Sequence, residues 1–461
     1  MNESSYPQAV RVYCTYQDAD YENPWQTLAP RSSTSSGVVI GPGRVLTGAH
    51  CVANATFIQV QKSSSPDKIV AQVVAVSHDS DLALLEVAET FTDGVEPAEI
   101  GTLSRLGDEV SVVGYPVGGD ELSITEGIVS RIEVQSYEHS GRNLLAVTVD
   151  AAINSGNSGG PVFHEGRVVG IAFQSLEDAE NIGEMVPAPV VRTFLEGVEA
   201  DRPTTVPGLG TTVQHTENPA LRRRLGLGPS DGGVLLNLIE HGSTAWSVLE
   251  EGDVLLSLDG NAIAANGTVR YRGLFRCQFD VVFGEHFVGD TIEAEILRGG
   301  DRRTVELELA PLERLVPRAA YDTRPTWFLF GGLVMTRVTL DFLRIWGTEW
   351  WSKAPARLVH AYYHELRTDA RQELVVIAQV LADEVNVGYE DLAYEVIDTI
   401  DGATPADTAG ALRLLEGASE TVTLRTSSGA LLHFEKSETE RAAARIAERY
   451  RLPSDRSDDL A

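Results

Sequence analysis

The sequence predicts a mainly β protein of about three domains: an all-β barrel domain over residues 1–200 and two α+β domains over 201–312 and 313–461. Three observations carry this. Short β-type runs broken by Gly and Pro recur through the first 200 residues. A Pro/Thr linker, Arg202-Pro203-Thr204-Thr205-Val206-Pro207, then marks a change to mixed helix and strand signals. Finally, a strand-and-turn unit ending in Asp-Gly occurs twice downstream, at Asp259-Gly260 and Asp401-Gly402.

Taken in order, Arg44–Thr47 reads as a strand closed by His50, Lys68–Val74 as another, Leu82–Leu85 as an apolar run opened by Asp81, and Glu109–Val113 as a fourth. Beyond the linker, Gly233–Ile239 reads as a strand, Ser243–Leu249 as a short helix, and Gly252–Gly260 as a strand entering a turn. A strand-turn-strand stretch follows each copy of the unit: Thr291–Leu309 turning at Gly299-Gly300, and Thr421–Phe434 turning near Ser428-Gly429.

The stretch Ile153-Asn154-Ser155-Gly156-Asn157-Ser158-Gly159-Gly160-Pro161 marks Ser158 as a candidate nucleophile, because glycines let main-chain N–H groups converge on a developing oxyanion. Alone, the segment also fits the G-x-S-x-G elbow of α/β-hydrolases, or an ordinary Gly/Ser loop. Chain order separates these. An elbow serine precedes its acid and histidine, whereas His50 and Asp81 lie upstream of Ser158, in the chymotrypsin-like order. His50 would take the Ser158 proton and return it to the leaving amine while Asp81 fixes the tautomer. Asp79 is the competing acid; Asp81 sits at the strand entry and is preferred. Backbone N–H groups of Gly156 and Ser158, with Asn157 alongside, would form the oxyanion hole.

These three segments resemble the HtrA/Deg family of serine endopeptidases. The match extends through Asn23-Pro24-Trp25-Gln26, Ser32–Gly37, Val112–Pro116 and Gly170–Ser175, and is nearer the plant-type Deg branch than the bacterial envelope proteases. The resemblance implies a chymotrypsin-like double β-barrel followed by two PDZ-like α+β domains, with His50, Asp81 and Ser158 as triad. It also implies ATP-independent cleavage without a cofactor, and homo-oligomers built from trimers. In such enzymes the residue six before the nucleophile, here Ala152, floors the S1 pocket. With Ile153 and Phe173 nearby, cleavage is expected after small or medium apolar residues, which are mostly buried in folded proteins, so unfolded or damaged chains are the expected substrates.

A PDZ domain adds a peptide to a sheet edge and takes its terminal carboxylate in a backbone loop; Leu209-Gly210-Thr211 would supply that loop, and Phe330-Gly331-Gly332-Leu333 stands in the equivalent place of the second copy. Both copies could instead serve assembly. A protein of another class, a catalytically silent peptide-binding holdase, shares these features except the triad. No Ile-Val-Gly-Gly-like activation site stands near the amino terminus, so control is expected from the loops around Gly156 and after Ser175.

A net charge of -30, with 37 basic against 67 acidic residues, excludes electrostatic attraction to nucleic acid or an anionic membrane. It motivates a salt-tolerant source, although high genomic G+C content gives the same bias. Cys14, Cys51 and Cys277 give no disulfide framework, and no stretch approaches the ~20 apolar residues of a membrane span, so a cytoplasmic location is expected. No metal is expected: His360 and His364 have helical spacing but lack the H-E-x-x-H order. Arg222-Arg223-Arg224 reads as a solvated helix face.

Overall fold

The computed structural model describes residues 6–116, 121–151, 153, 156–175 and 182–461. Two closed six-stranded barrels come first. The first holds β1 (Ala9–Tyr16), β2 (Arg31–Gly41), β3 (Arg44–Thr47), β4 (Ala55–Lys62), β5 (Ile69–Ser77) and β6 (Leu82–Val87), bonded in the order β1-β2-β3-β6-β5-β4. Period-two alternation sends Val10, Val12 and Cys14 of β1 inward, where they meet Val39, Val45, Val60 and Leu85 in one core. The second barrel holds β7 (Glu109–Gly114), β8 (Ser123–Ser136), β9 (Asn143–Val149), β10 (Pro161–His164), β11 (Arg167–Ser175) and β12 (Gly183–Pro187), in the order β10-β11-β12-β9-β8-β7.

The third sheet contains β13 (Thr211–His215), β14 (Val234–Ile239), β15 (Val254–Leu258), β16 (Asn261–Ala262), β19 (Thr291–Arg298) and β20 (Asp301–Glu308), with β13 at one edge. Between β16 and β19, a separate hairpin of β17 (Thr268–Tyr271) and β18 (Phe275–Gln278) leads into a 3-10 segment, Phe279–Glu285. Phe279, Val282 and Phe283 from this insertion share one buried cluster with Val147 and Phe173 of the second barrel, with Val191 of the helix Ala188–Glu199 that follows it, and with Val234 and Leu255 of the third sheet.

The structure therefore groups residues differently from the sequence expectation. Residues 1–16 and 30–312 form one compact unit, and residues 17–29 with 313–461 form the other. The Pro/Thr stretch is not a loose linker. Ser77 Oγ donates to Thr204 O at 2.6 Å, Thr204 Oγ1 donates to Val76 O at 2.6 Å, and Arg142 Nη2 donates to the carbonyls of Val206 and Pro207 at 2.7 and 2.8 Å. Residues 243–248 form successive turns rather than the expected helix, with Ser247 at φ +68° interrupting any helical run.

The second unit holds β21 (Trp327–Phe330), β22 (Leu333–Arg337) and β23 (Val375–Val380) in one sheet, and β24 (Ile397–Ile400), β25 (Thr421–Thr426) and β26 (Leu431–Glu435) in another. The repeat is visible in backbone angles. Asp259-Gly260 has φ +48° and +72°, and Asp401-Gly402 has +48° and +82°, so both copies use the positive-φ pair that suits a tight hairpin. Phe330-Gly331-Gly332-Leu333 proves to be the hairpin turn between β21 and β22, where Asn386 Nδ2 donates to Gly331 O and Leu381 O at 2.9 and 2.8 Å. A segment from near the amino terminus completes this unit. Trp25 packs 5.4 Å from Trp327, and Gln379 Nε2 donates to Glu22 O at 2.5 Å. Among the described residues no helix is long and apolar enough to cross a membrane.

Candidate active site

Strand register brings the candidate base and the candidate acid together. Thr47 at the end of β3 pairs with Ala83 near the start of β6, so the residues three after Thr47 and two before Ala83 emerge at the same barrel rim. They are His50, in a short 3-10 turn, and Asp81, held at φ +54°. His50 Nδ1 lies 2.6 Å from Asp81 Oδ2, and the His50 backbone N–H donates to Asp81 Oδ1 at 2.8 Å. Both carboxylate oxygens are thus spent on one histidine, and this leaves His50 Nε2 as the nitrogen available for chemistry.

Asp79, two residues earlier, is engaged elsewhere, since its Oδ2 accepts the Val206 N–H at 2.9 Å. The structure separates the two candidate acids by partner.

The serine segment reaches the same rim from the second barrel. Gly156 at φ +100° and Gly159 at φ +78° bracket Asn157 and Ser158. The Ser36 N–H of β2 donates to Ser158 O at 2.9 Å, and Ser36 Oγ donates to Gly156 O at 2.7 Å while accepting the Tyr115 N–H at 2.8 Å. Thr47, three residues before His50, donates its hydroxyl to Ser36 O at 2.7 Å. A side chain at Gly159 would overlap Thr47 Oγ1 and Ser36 O, and its Cβ would stand 3.0 Å from Cys51 Sγ. Glycine here lets the serine loop press against the histidine segment.

Sequence reasoning misses these supports. Ser36 lies within a matching segment, yet nothing in Ser32–Gly37 says which hydroxyl turns toward Gly156. Cys51 carries no signal of its own beyond standing next to His50. Its Sγ lies 3.4 Å from His50 Nε2, the ring nitrogen that Asp81 leaves open.

Burial opposes charge on the His50 ring, but Asp81 and the Cys51 thiol hold its pKa well above the ordinary histidine value. Burial likewise opposes charge on Asp81, and His50 overrides it, with a smaller contribution from His139, so the carboxyl stays below the usual range. Cys51 is pushed up by burial and pulled lower overall by His50 and Ser35. The side chain of Asp81 is only 1% exposed, so its charge is sustained by these partners rather than by water.

Of the pocket residues, Ala152 lies outside the described residues. Ile153 and Phe173 are buried, and Phe173 packs 4.5 Å from Tyr137. Gly183 opens β12 against Ile153, where an added Cβ would collide with the Ile153 side chain. Leu209 is buried, Gly210 has φ +72°, and Thr211 begins the edge strand β13, so these three form an irregular segment leading into that edge. Among the described residues no group of three or more His, Cys, Asp or Glu side chains is arranged to hold a metal ion.

A trypsin-like peptidase domain model matches residues 35–171, and a PDZ domain model matches residues 316–459. Protease Do-like 2, chloroplastic, from Arabidopsis thaliana is 38% identical over 457 residues, covering 98% of this chain and 75% of that protein. The chain belongs to the Do-like (Deg/HtrA) protease family. Protease Do-like 4, mitochondrial, from the same plant is 33% identical over 96% of this chain and 84% of its own length. Among solved structures, the HtrA-type protease AlgW with tripeptide aligns with a TM-score of 0.53 at 24% identity, over 68% of this chain and 98% of that one, a likeness of fold. This Deg/HtrA chain is a serine endopeptidase with a double-barrel fold and a PDZ region.

Proposed function

We propose that His50, Asp81 and Ser158 are the catalytic triad, and that the enzyme cleaves unfolded or damaged protein chains after small or medium apolar residues. The observation that carries this reading is the two-point grip of Asp81 on His50, at 2.6 and 2.8 Å, on the rim where the Ser158 loop is bonded to Ser36. His50 Nδ1–H donates to Asp81, so Nε2 is the acceptor for the Ser158 hydroxyl proton as Oγ attacks the scissile carbonyl. The tetrahedral oxyanion falls to the N–H groups of Gly156 and Ser158, with Asn157 between them. His50 then returns its proton to the leaving amine, and water repeats the cycle on the acyl-enzyme.

Ile153 packed on Gly183 supports an apolar, narrow S1 pocket, with Phe173 behind it. The two PDZ-like regions would bind peptide termini or support assembly, with Leu209-Gly210-Thr211 as the carboxylate loop, and homo-oligomers built from trimers are the expected assembly. Light scattering checks the last point, since a monomer at working concentration would refute it. Degradation of casein by the wild type and by Ser158→Ala tests the triad: turnover should vanish in the variant, and equal rates would overturn the assignment. Profiling with a peptide library tests the pocket, where a dominant basic P1 preference would count decisively against it.

A further inference from the structure

The thiol of Cys51 lies against the candidate site and takes no part in the triad mechanism. Its Sγ stands 3.4 Å from His50 Nε2, while Asp81 holds the opposite ring nitrogen of His50 at 2.6 Å. Carboxylate, imidazole and thiol thus follow one another, the arrangement in which a sulfur gives its proton to the ring and becomes a nucleophile. Burial raises the Cys51 pKa, and His50 and Ser35 bring it below the ordinary thiol value. Cys277, also buried, goes the other way: burial and Glu133 push it up to about 11.

A second polar group faces the same sulfur. Ser35 of β2 pairs with Val12, whose side chain belongs to the buried cluster that also holds Cys51, so the Ser35 side chain turns into the same interior. Ser35 is 5% exposed, and apart from its approach to Cys51 its hydroxyl is without a partner among the described residues. A buried hydroxyl left open beside a sulfur can donate to a thiolate, or to an oxygen placed on it. Two glycine segments also lie close: a Cβ added at Gly159 would stand 3.0 Å from Sγ, and one at Gly48 3.3 Å. Cys51 itself is 4% exposed and the His50 side chain 28%, so a reagent that reaches the sulfur comes along the His50 ring and must be small.

We propose that Cys51 is an oxidation site for small hydroperoxides, and that the sulfenic acid formed there occupies His50 Nε2 and stops the protease. The Cys51 proton passes to His50 Nε2, and the thiolate attacks one peroxide oxygen. The S–O bond forms as the O–O bond breaks, the sulfur loses two electrons to the peroxide, and the leaving hydroxide takes the proton back from His50. Each hydrogen peroxide thus yields one Cys51 sulfenic acid and one water. An oxygen on Sγ, set off the line between sulfur and ring, reaches Nε2 at about 2.7–2.8 Å within the observed 3.4 Å separation. Its O–H donates to Nε2, and the Ser35 hydroxyl donates to it. The lone pair that takes the Ser158 proton is then occupied. This block rests on the assignment of His50 as the base, whereas the oxidation needs only the contact between Cys51 and His50.

The test treats the full chain with hydrogen peroxide. The Ser158→Ala protein is oxidised while folded, then unfolded in dimedone, which tags sulfenic acid, and the tag is mapped by mass spectrometry. It should lie on Cys51 and not on Cys277, and its yield should fall several-fold when Ser35→Ala is added. In the wild-type enzyme, peroxide should abolish cleavage of a fluorogenic peptide, and dithiothreitol should restore it. Cys51→Ala and Cys51→Ser, each checked for folding by its melting temperature and compared with its own untreated rate, should need at least about tenfold more peroxide for the same loss. Inactivation of both variants at the wild-type peroxide concentration would place the damage elsewhere and overturn the proposal, as would absence of the tag from Cys51. A tag on Cys51 with the peptide rate unchanged would overturn the block. Full turnover by Ser158→Ala would count against the triad instead, and the tag would still report on the sulfur.

Discussion

The two barrels hold their halves of the proposed active site by different means. In the first, the Asp81 carboxylate positions His50 by meeting its ring nitrogen at 2.6 Å and accepting its backbone N–H at 2.8 Å. In the second, the Ser158 loop is positioned by bonds from the uncharged Ser36 N–H and hydroxyl to main-chain carbonyls and by glycines that allow the backbone to lie against Thr47, Ser36 and Cys51. The first half is therefore vulnerable to changes of charge and the second to changes of volume. A low-dielectric rim strengthens the charged grip and makes any loss of a partner costly, whereas close packing of main chain leaves no room to absorb an added methyl group.

The sharpest way to break the charged half is Asp81→Asn. It keeps the shape but lets the amide donate where a carboxylate accepted, favouring the wrong tautomer of His50, and kcat/KM should fall about 10^4-fold. The same variant bears on pH. The wild-type His50 pKa is raised, and only neutral His50 is a base, so the acidic limb of the wild-type profile should have its midpoint above about 6.5 and move to lower pH when the carboxylate is removed. A midpoint that stays fixed in Asp81→Asn would show that the carboxylate does not set the titration.

The volume half is probed by Gly159→Ala. The new Cβ would overlap Thr47 Oγ1 and Ser36 O, and φ +78° is itself unfavourable for alanine. The loop must shift, so activity should drop by about 10^2-fold, with a stability loss of roughly 1–3 kcal/mol seen in denaturant titration. Wild-type kinetics in this variant would show that the close approach is not needed.

The smallest effect is expected at Asp79→Ala. It removes the acceptor of the Val206 N–H and leaves the His50–Asp81 pair in place, so stability should fall by about 1 kcal/mol while kcat changes far less than in Asp81→Asn. A loss equal to that of Asp81→Asn would erase the distinction between the two acids.

Much of this was legible in the sequence, for reasons that differ by residue. The Asp-Gly turns announce themselves because few other pairs accept positive φ at both positions, and the alternating runs of the barrels follow from which face of each strand is buried. The order His50, Asp81, Ser158 selected a fold. What stayed hidden depends on tertiary placement. Ser36 and Cys51 act through contacts that only the folded chain brings about, and the insertion at Thr268–Glu285 hides its attachment to the second barrel because Phe279 and Val282 look like any local apolar residues. The Pro/Thr stretch misled in the opposite direction. Its composition suggests freedom, and its carbonyls and amide are in fact consumed by Ser77, Asp79 and Arg142.

The membership of residues 17–29 in the second unit has a consequence for how the chain is made. The Tyr21 hydroxyl reaches Asp341 Oδ2 across 320 residues, and the Tyr394 hydroxyl reaches Glu22 across 372. In equilibrium terms such a loop is inexpensive, since closure entropy grows only as the logarithm of its length. In time it is demanding. On a ribosome that releases about 5–20 residues per second, Trp25 emerges well before Trp327 exists, so the arm waits through the synthesis of both barrels for its own core. The later-made unit is thus completed by a segment synthesised ahead of β2, and Tyr21 and Trp25 lack their partners for the whole of that interval.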